Sequence, residues 1–209
     1  GAENLVAVVG GTRALDGVSV EIPRGEITAV VGGDGAGKST LLRVLVGRVA
    51  ANGGTVDVPP LADIGYQPST SGVWGELSVD ENIDFAGRAY SMTPARIRER
   101  RDDLLRRAAL TDARGRLGSR LSGGMRQKLG FVLAILHEPR LVLLDEPSTG
   151  VDPVSRVELW RLIAEAAAGG AAVLMTTTYL DEAERAGRVL VLDAGHSLGF
   201  GEPSSIIAS

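Results

Sequence analysis

The segment Gly32-Gly33-Asp34-Gly35-Ala36-Gly37-Lys38-Ser39-Thr40 limits what this chain can fold into more than any other, because it satisfies the phosphate-loop pattern G-x-x-x-x-G-K-[ST]. Its surroundings agree. An apolar run from Ile27 to Val31 reads as a buried strand, and Leu41, Leu42, Val44, Leu45 and Val46 read as the helix that follows. Glycines at 32, 33, 35 and 37 are expected to admit backbone conformations closed to other residues, turning successive amides toward a phosphate chain at a helix N-terminus. Lys38 then places an ammonium on the β- and γ-phosphates, and the Ser39 hydroxyl is a candidate magnesium ligand.

A second constraint is Leu141-Val142-Leu143-Leu144-Asp145-Glu146-Pro147. A continuous apolar strand delivers two carboxylates at its C-terminal end, where ligands bind in open parallel α/β sheets. Asp145 is placed to hold Mg²⁺, and Glu146 to orient or deprotonate an attacking water. Leu121-Ser122-Gly123-Gly124-Met125-Arg126-Gln127-Lys128 is weaker by itself, a helix start capped by Ser122 with two glycines in its first turn. Between these landmarks, Ser78-Val79-Asp80-Glu81 has the form of a capping box opening a helix to about Tyr90, and Thr93-Pro94 opens another with Ile97, Leu104, Leu105 and Ala108 on one face.

Elsewhere the spacing predicts strands over Leu5–Val9 and Val18–Ile22, laid antiparallel beside the phosphate-loop strand. It predicts further strands over 55–58, 62–66, 171–176 and 187–192, with Ala51-Asn52-Gly53-Gly54 as a turn. Asp152-Pro153 starts a helix whose buried face is read as Val157, Trp160, Ile163 and Ala164. Residues 195–201 read as a closing turn and 203–208 as a short terminal helix.

Composition narrows the classes. With 209 residues and 44% hydrophobic content there is material for a substantial core. A net charge of −4 disfavours a general nucleic-acid binder, leaving room only for a local basic patch. No cysteine is present, and no apolar run approaches the roughly 20 residues that cross a bilayer, so a membrane role is expected through a partner.

Taken in order, the phosphate loop, LSGGMRQ and LVLLDEP make the chain resemble the ATP-binding cassette (ABC) family, specifically the nucleotide-binding domain of a membrane transporter. The stretches LSVDEN and HEPRLVLLDEPSTGVDP look like those of bacterial export systems, including systems with two such domains in one polypeptide. The resemblance implies an α/β fold: a phosphate-loop NTPase core with a mostly parallel central sheet, an N-terminal antiparallel β-subdomain and an inserted α-helical subdomain at about 78–120. Residues 1–209 would form one ATP-binding domain. It further implies ATP and Mg²⁺ as cofactors, a head-to-tail dimer with a second cassette, and a transmembrane permease partner at the cytoplasmic face of the plasma membrane. In such a dimer Ser122, Gly123 and Gly124 meet the γ-phosphate of ATP held by the mate, and Asp152 lies at the seam. A soluble ATP-gated regulator, or a ribosome- or DNA-associated relative, is the alternative in a different class.

Three positions depart from the family pattern. Val9 stands where an aromatic ring stacks on adenine, Ser69 where a glutamine reaches metal and water, and Thr178 where a histidine contacts the γ-phosphate. Gln67 is set about 6 to 7 Å back along the chain from Ser69 and is not expected to substitute. His137 and His196 are read as structural. The departures imply a weakly hydrolysing or non-hydrolysing site in this domain and an unlike mate whose site the signature segment completes.

Overall fold

Side chains of successive strand residues point to opposite faces of a sheet, and here both faces are covered, so the central strands are mostly apolar on both, with polar residues concentrated at the C-terminal ends of β6 and β7. The computed structural model describes residues 1–206; the last two residues of the expected terminal helix, 207 and 208, lie outside the described residues. Chain order is β1 (Ala2–Val9), β2 (Thr12–Val20), β3 (Ile27–Val31), α1 (Lys38–Leu45), β4 (Gly53–Val56), β5 (Ile64–Gln67), α2 (Val79–Ala89), α3 (Pro94–Arg107) and α4 (Gly123–Ile135). There follow β6 (Leu141–Asp145), α5 (Pro153–Ala168), β7 (Ala172–Thr177), α6 (Leu180–Ala183), β8 (Arg188–Asp193), β9 (His196–Gly201) and α7 (Pro203–Ile206).

Six strands form one sheet in the order β5-β6-β7-β3-β8-β9, parallel except for β9. On one face Ala29, Val142, Leu144, Val173 and Met175 join a core with helices α2 to α5, centred on the fully buried Phe131. On the other, Val30, Leu143, Leu174 and Leu190 pack with α1 and a separate antiparallel sheet of order β2-β1-β4. The expected placement of the two N-terminal strands beside the phosphate-loop strand is therefore corrected. The neighbours of β3 are β7 and β8, supplied by the far end of the chain.

Local signals fare better where they are self-contained. The Ser78 hydroxyl accepts the Glu81 amide while the Glu81 carboxylate accepts the Ser78 amide at 2.7 Å, the reciprocal capping box. Thr93, Ser122 and Asp152 each accept an amide three residues on, and so cap α3, α4 and α5. Several boundaries differ. Gly53 and Gly54 belong to β4, not to the turn before it, and the strand ends at Val56. A short 3₁₀ turn, Leu61–Asp63, precedes β5. The closing turn is itself a strand, β9, paired antiparallel with β8 around Ala194 and Gly195, both at positive φ. The buried face of α5 is Leu159, Leu162, Ile163 and Ala167; Val157 is 60% exposed, with Trp160 and Ala164 at the margin. This helix carries alanines around its circumference, so spacing did not single out one stripe.

Candidate functional site

The loop between β3 and α1 is shaped by crowding as much as by backbone freedom. Gly35 and Gly37 do occupy the left-handed region, at φ of 80° and 104°. Gly32 does not; a side chain there would overlap the Leu192 carbonyl oxygen. Gly33 has open space and an ordinary φ, so neither requirement applies to it, which corrects the common role expected for the four glycines. The turn between β8 and β9 buttresses the loop from outside: the Gly195 amide donates to the Ala36 carbonyl at 3.0 Å, while the Gly195 carbonyl accepts the Asp16 amide at 2.8 Å.

Inside the loop, Lys38 is 5% exposed, and its Nζ donates to the Gly32 and Gly33 carbonyls at 2.8 and 3.0 Å. It also pairs with Glu146 Oε1 at 3.2 Å. Ser39 Oγ donates to Asp145 Oδ1 at 2.8 Å, joining residues 106 positions apart. Thr176 Oγ1 donates to the same Asp145 oxygen at 3.0 Å and accepts the Glu146 amide at 2.8 Å. Glu146 itself sits at φ 49°, sparsely populated for a residue with a side chain, and this bend points its carboxylate toward Lys38. Thr149 Oγ1 holds the other carboxylate oxygen at 3.1 Å. Together Ala14, residues 34–40 and Glu146 line a cavity of about 210 Å³. Asp34, Ala36 and Thr40 contribute to that wall, Ala36 from a buried position. A larger hollow of about 780 Å³ lies between β1, β2 and Phe200, on the side of the small sheet, and holds none of these groups.

Hard oxygen donors from Ser39, on the cavity wall, and Asp145, bonded to it from a buried position, suit Mg²⁺. That ion keeps several waters or phosphate oxygens and takes only one or two protein ligands. No cluster of three or more histidine, cysteine, aspartate or glutamate side chains suited to a metal occurs among the described residues.

The structure thus brings Lys38, Ser39, Asp145 and Glu146 together. It does not bring Ser122, Gly123 and Gly124 to them; these lie at the start of α4, Ser122 and Gly123 exposed and Gly124 buried against the start of α5. A Cβ on Gly124 would stand 2.5 Å from Ser155 Cβ and Oγ and 3.2 Å from Asp152 Oδ2, so an internal contact also demands glycine there. Lys128, one turn on, pairs with Glu158 at 2.8 Å and ties the same two helices. The Ser155 amide holds the Asp152 carboxyl below the usual carboxylate range. Ser69 and Thr178 are exposed, and Val9 is 45% exposed beside the Gly10-Gly11 turn. Gln67 is fully buried and its amide nitrogen donates to the Gln127 side chain at 2.6 Å, so its side chain is committed to the core. His137 stacks on Tyr90 with ring centroids 3.5 Å apart, and His196 is an exposed residue of β9. Sequence reasoning missed Thr176, Thr149 and Gly195; the run of hydroxyls Thr176-Thr177-Thr178 ending an apolar strand was the available signal.

A parallel sheet whose glycine-rich loop, lysine and strand-end carboxylate converge at a helix start defines a phosphate-loop nucleotide-binding domain. The family model described as ABC transporter matches residues 15–149, and the chain belongs to that family. It is similar to the probable multidrug ABC transporter ATP-binding protein YbhF of Escherichia coli (strain K12), 40% identical over 195 residues, covering 88% of this chain and 34% of that protein. It is also similar to the daunorubicin/doxorubicin resistance ATP-binding protein DrrA of Streptomyces peucetius, 39% identical over 217 residues, covering 98% of this chain and 66% of that protein. The chain therefore spans between a third and two thirds of these relatives. A solved structure described as the ATP binding subunit of an ABC transporter superposes with a TM-score of 0.89 at 29% identity, covering 99% of this chain and 91% of the other. The expected α/β class, with mostly parallel central strands, a small antiparallel sheet and helices, is borne out, and the chain is an ABC ATP-binding domain.

Proposed function

We propose that this domain binds MgATP as the motor component of an ABC exporter, hydrolyses it slowly by itself, and completes the site of an unlike mate. The observation that carries the reading is the convergence of Lys38, Ser39 and Glu146 on one cavity, with Asp145 bonded to Ser39 behind its wall. Lys38 neutralises β- and γ-phosphate oxygens, and the loop amides from Gly33 to Thr40 cradle them. Ser39 and Asp145 hold Mg²⁺, which supplies positive charge to the phosphates when bound. Glu146, aimed by its left-handed backbone, is placed to orient the attacking water. Against that set stand Ser69 and Thr178, which are short and uncharged where the γ-phosphate and water need to be positioned. Phosphate binding survives their presence; positioning of the reacting end does not.

The exposed Ser122 and Gly123 amides, with no acidic residue in the first turn of α4, fit contact with ATP carried by the second cassette. Multidrug and daunorubicin relatives support export. Residues 78–120 form the helical subdomain that docks a cytoplasmic helix of the permease. Trp74, 59% exposed and edge-on to Phe85 with centroids 5.7 Å apart, is its apolar contact. No helix among the described residues is long and apolar enough to cross a membrane, so the permease places this domain at the inner membrane face. The acidic balance leaves nucleic acid outside the partner set.

Calorimetry should find MgATP bound, with turnover by the purified chain well below the ~1 s⁻¹ of an ordinary enzyme. Thr178→His should raise that turnover. Several turnovers per second by the unaltered chain, with no gain from the substitution, would refute impairment; failure to bind MgATP at millimolar concentration would refute the site.

A further inference from the structure

The segment after β7 leaves the sheet between the two strands that carry the phosphate chemistry. Strand β7 lies between β6 and β3, with Thr176 level with Asp145 and Thr177 level with Val31. Thr178 is thus the first residue beyond the strand end, one position past the level of Val31. Both of its neighbours are pinned. Thr177 Oγ1 donates to Glu182 Oε2 at 2.6 Å and accepts the Tyr179 amide at 3.0 Å, fixing an arch with Thr178 exposed at its crest. The same Glu182 oxygen accepts the Ser148 hydroxyl at 2.9 Å, two residues beyond Glu146. On its other side Glu182 Oε1 faces Arg156 Nε at 4.0 Å. The Arg156 guanidinium in turn lies 4.7 Å from the Tyr179 ring centroid and pairs with Asp181 at 3.0 Å.

Glu182 is 3% exposed. Burying a carboxylate is costly unless donors surround it, and here donors from three separate segments converge on one side chain. None of the groups assigned to phosphate or magnesium uses it. Its two hydroxyl partners are the last residue of β7, just before Thr178, and Ser148 in the loop that carries Glu146, the two segments beside which the site proposed above would set a third phosphate.

We propose that Glu182 is a positioning residue that fixes the spacing between the Thr178 arch and the loop bearing Glu146, so that discrimination between tri- and diphosphate passes through it. This rests on the nucleotide site proposed above. Ser148 and Thr177 hang from one oxygen, so the two loops hold a common distance. Loosening Glu182 lets one wall of the γ-phosphate end drift while the loop before α1, anchored by β3 and Gly195, keeps its grip on the inner phosphates.

The test measures dissociation constants for MgATP and MgADP by calorimetry, with thermal unfolding in parallel, for the unaltered chain, Glu182→Gln and Thr177→Val. The valine variant keeps the shape of the side chain and removes only the hydroxyl, so it carries the test if the glutamine variant does not fold. Both substitutions should weaken MgATP roughly 3- to 10-fold, the equilibrium equivalent of one hydrogen bond, and leave MgADP within about 2-fold. Equal weakening of both nucleotides, or a lower unfolding temperature with neither affinity changed, would make Glu182 merely structural and overturn the proposal. If the unaltered chain binds neither nucleotide, the proposed site falls first and this inference with it.

Discussion

Replacing Gly124 by alanine tests whether the signature segment and α5 are locked together within one molecule. A Cβ at this position would stand 2.5 Å from both Ser155 Cβ and Oγ, where ordinary contact begins near 3.4 Å, so the start of one helix must retreat by about 0.9 Å. Overpacking of this kind costs about 1 to 3 kcal/mol. Removing a glycine from a helix returns about 1 kcal/mol, and a clash with a Cβ falls in the upper part of the overpacking range, about 2 to 3 kcal/mol, so the net loss is about 1 to 2 kcal/mol. For a chain of this length that corresponds to a fall in melting temperature of about 2 to 8 °C. The Lys128–Glu158 pair one turn away holds the helices along the same line and opposes relaxation by separation. Thermal unfolding of Gly124→Ala, Ser155→Gly and the double variant forms a cycle in which the coupling should approach about 2 kcal/mol, the overlap being absent when Ser155 lacks a side chain. MgATP affinity of the chain itself should hold within about 2-fold, because Gly124 does not line the cavity. An alanine variant as stable as the parent, or additive effects in the cycle, would refute the packing argument and leave contact with a partner's nucleotide as the reason for glycine.

Two further outcomes are expected. Gln67→Ala should lower stability by about 1 to 3 kcal/mol in urea unfolding, since the buried Gln127 side chain loses its partner, yet leave MgATP affinity unchanged; lost affinity at full stability would mean Gln67 serves the site after all. His137 has its pKa lowered from 6.5 to about 4, with burial as the largest cause, so between those values the unfolded chain takes up a proton that the folded ring refuses. Its contribution to stability is therefore fully present above pH 6.5 and is lost as pH falls toward 4. His137→Phe, which preserves stacking on Tyr90, should show a shallower decline of the urea midpoint across that window than the parent, and identical slopes would refute the assignment.

What could be read from the chain depended on how far apart the interacting groups are. Caps at Ser78, Thr93, Ser122 and Asp152 act over three residues, so the pattern and the bond coincide. The phosphate loop and the strand-end carboxylates were legible for the same reason: each is a continuous stretch with its own strand attached. Strand neighbours were not. Nothing local in Ile27–Val31 says that β7 and β8 will flank it, and the N-terminal strands were misplaced beside it as a result. The left-handed turn at Glu146 was also hidden, because its cause is a bond from its amide to Thr176, a residue 30 positions later. In α5, alanine on every side blurred the periodicity that identified the buried face of α3.

The bond from Gly195 to Ala36 has a bearing on how the domain is made. The glycine loop lies early in the domain, at residues 32–40, but both strands beside β3 and the turn that props the loop come from residues 172–196. A domain made only as far as α5 has Ala14, the loop and Glu146, but neither strand that flanks β3 nor the prop at Gly195. The loop's firm seating is therefore the last part of this domain's site to be put in place, once residues 172–196 have joined the sheet.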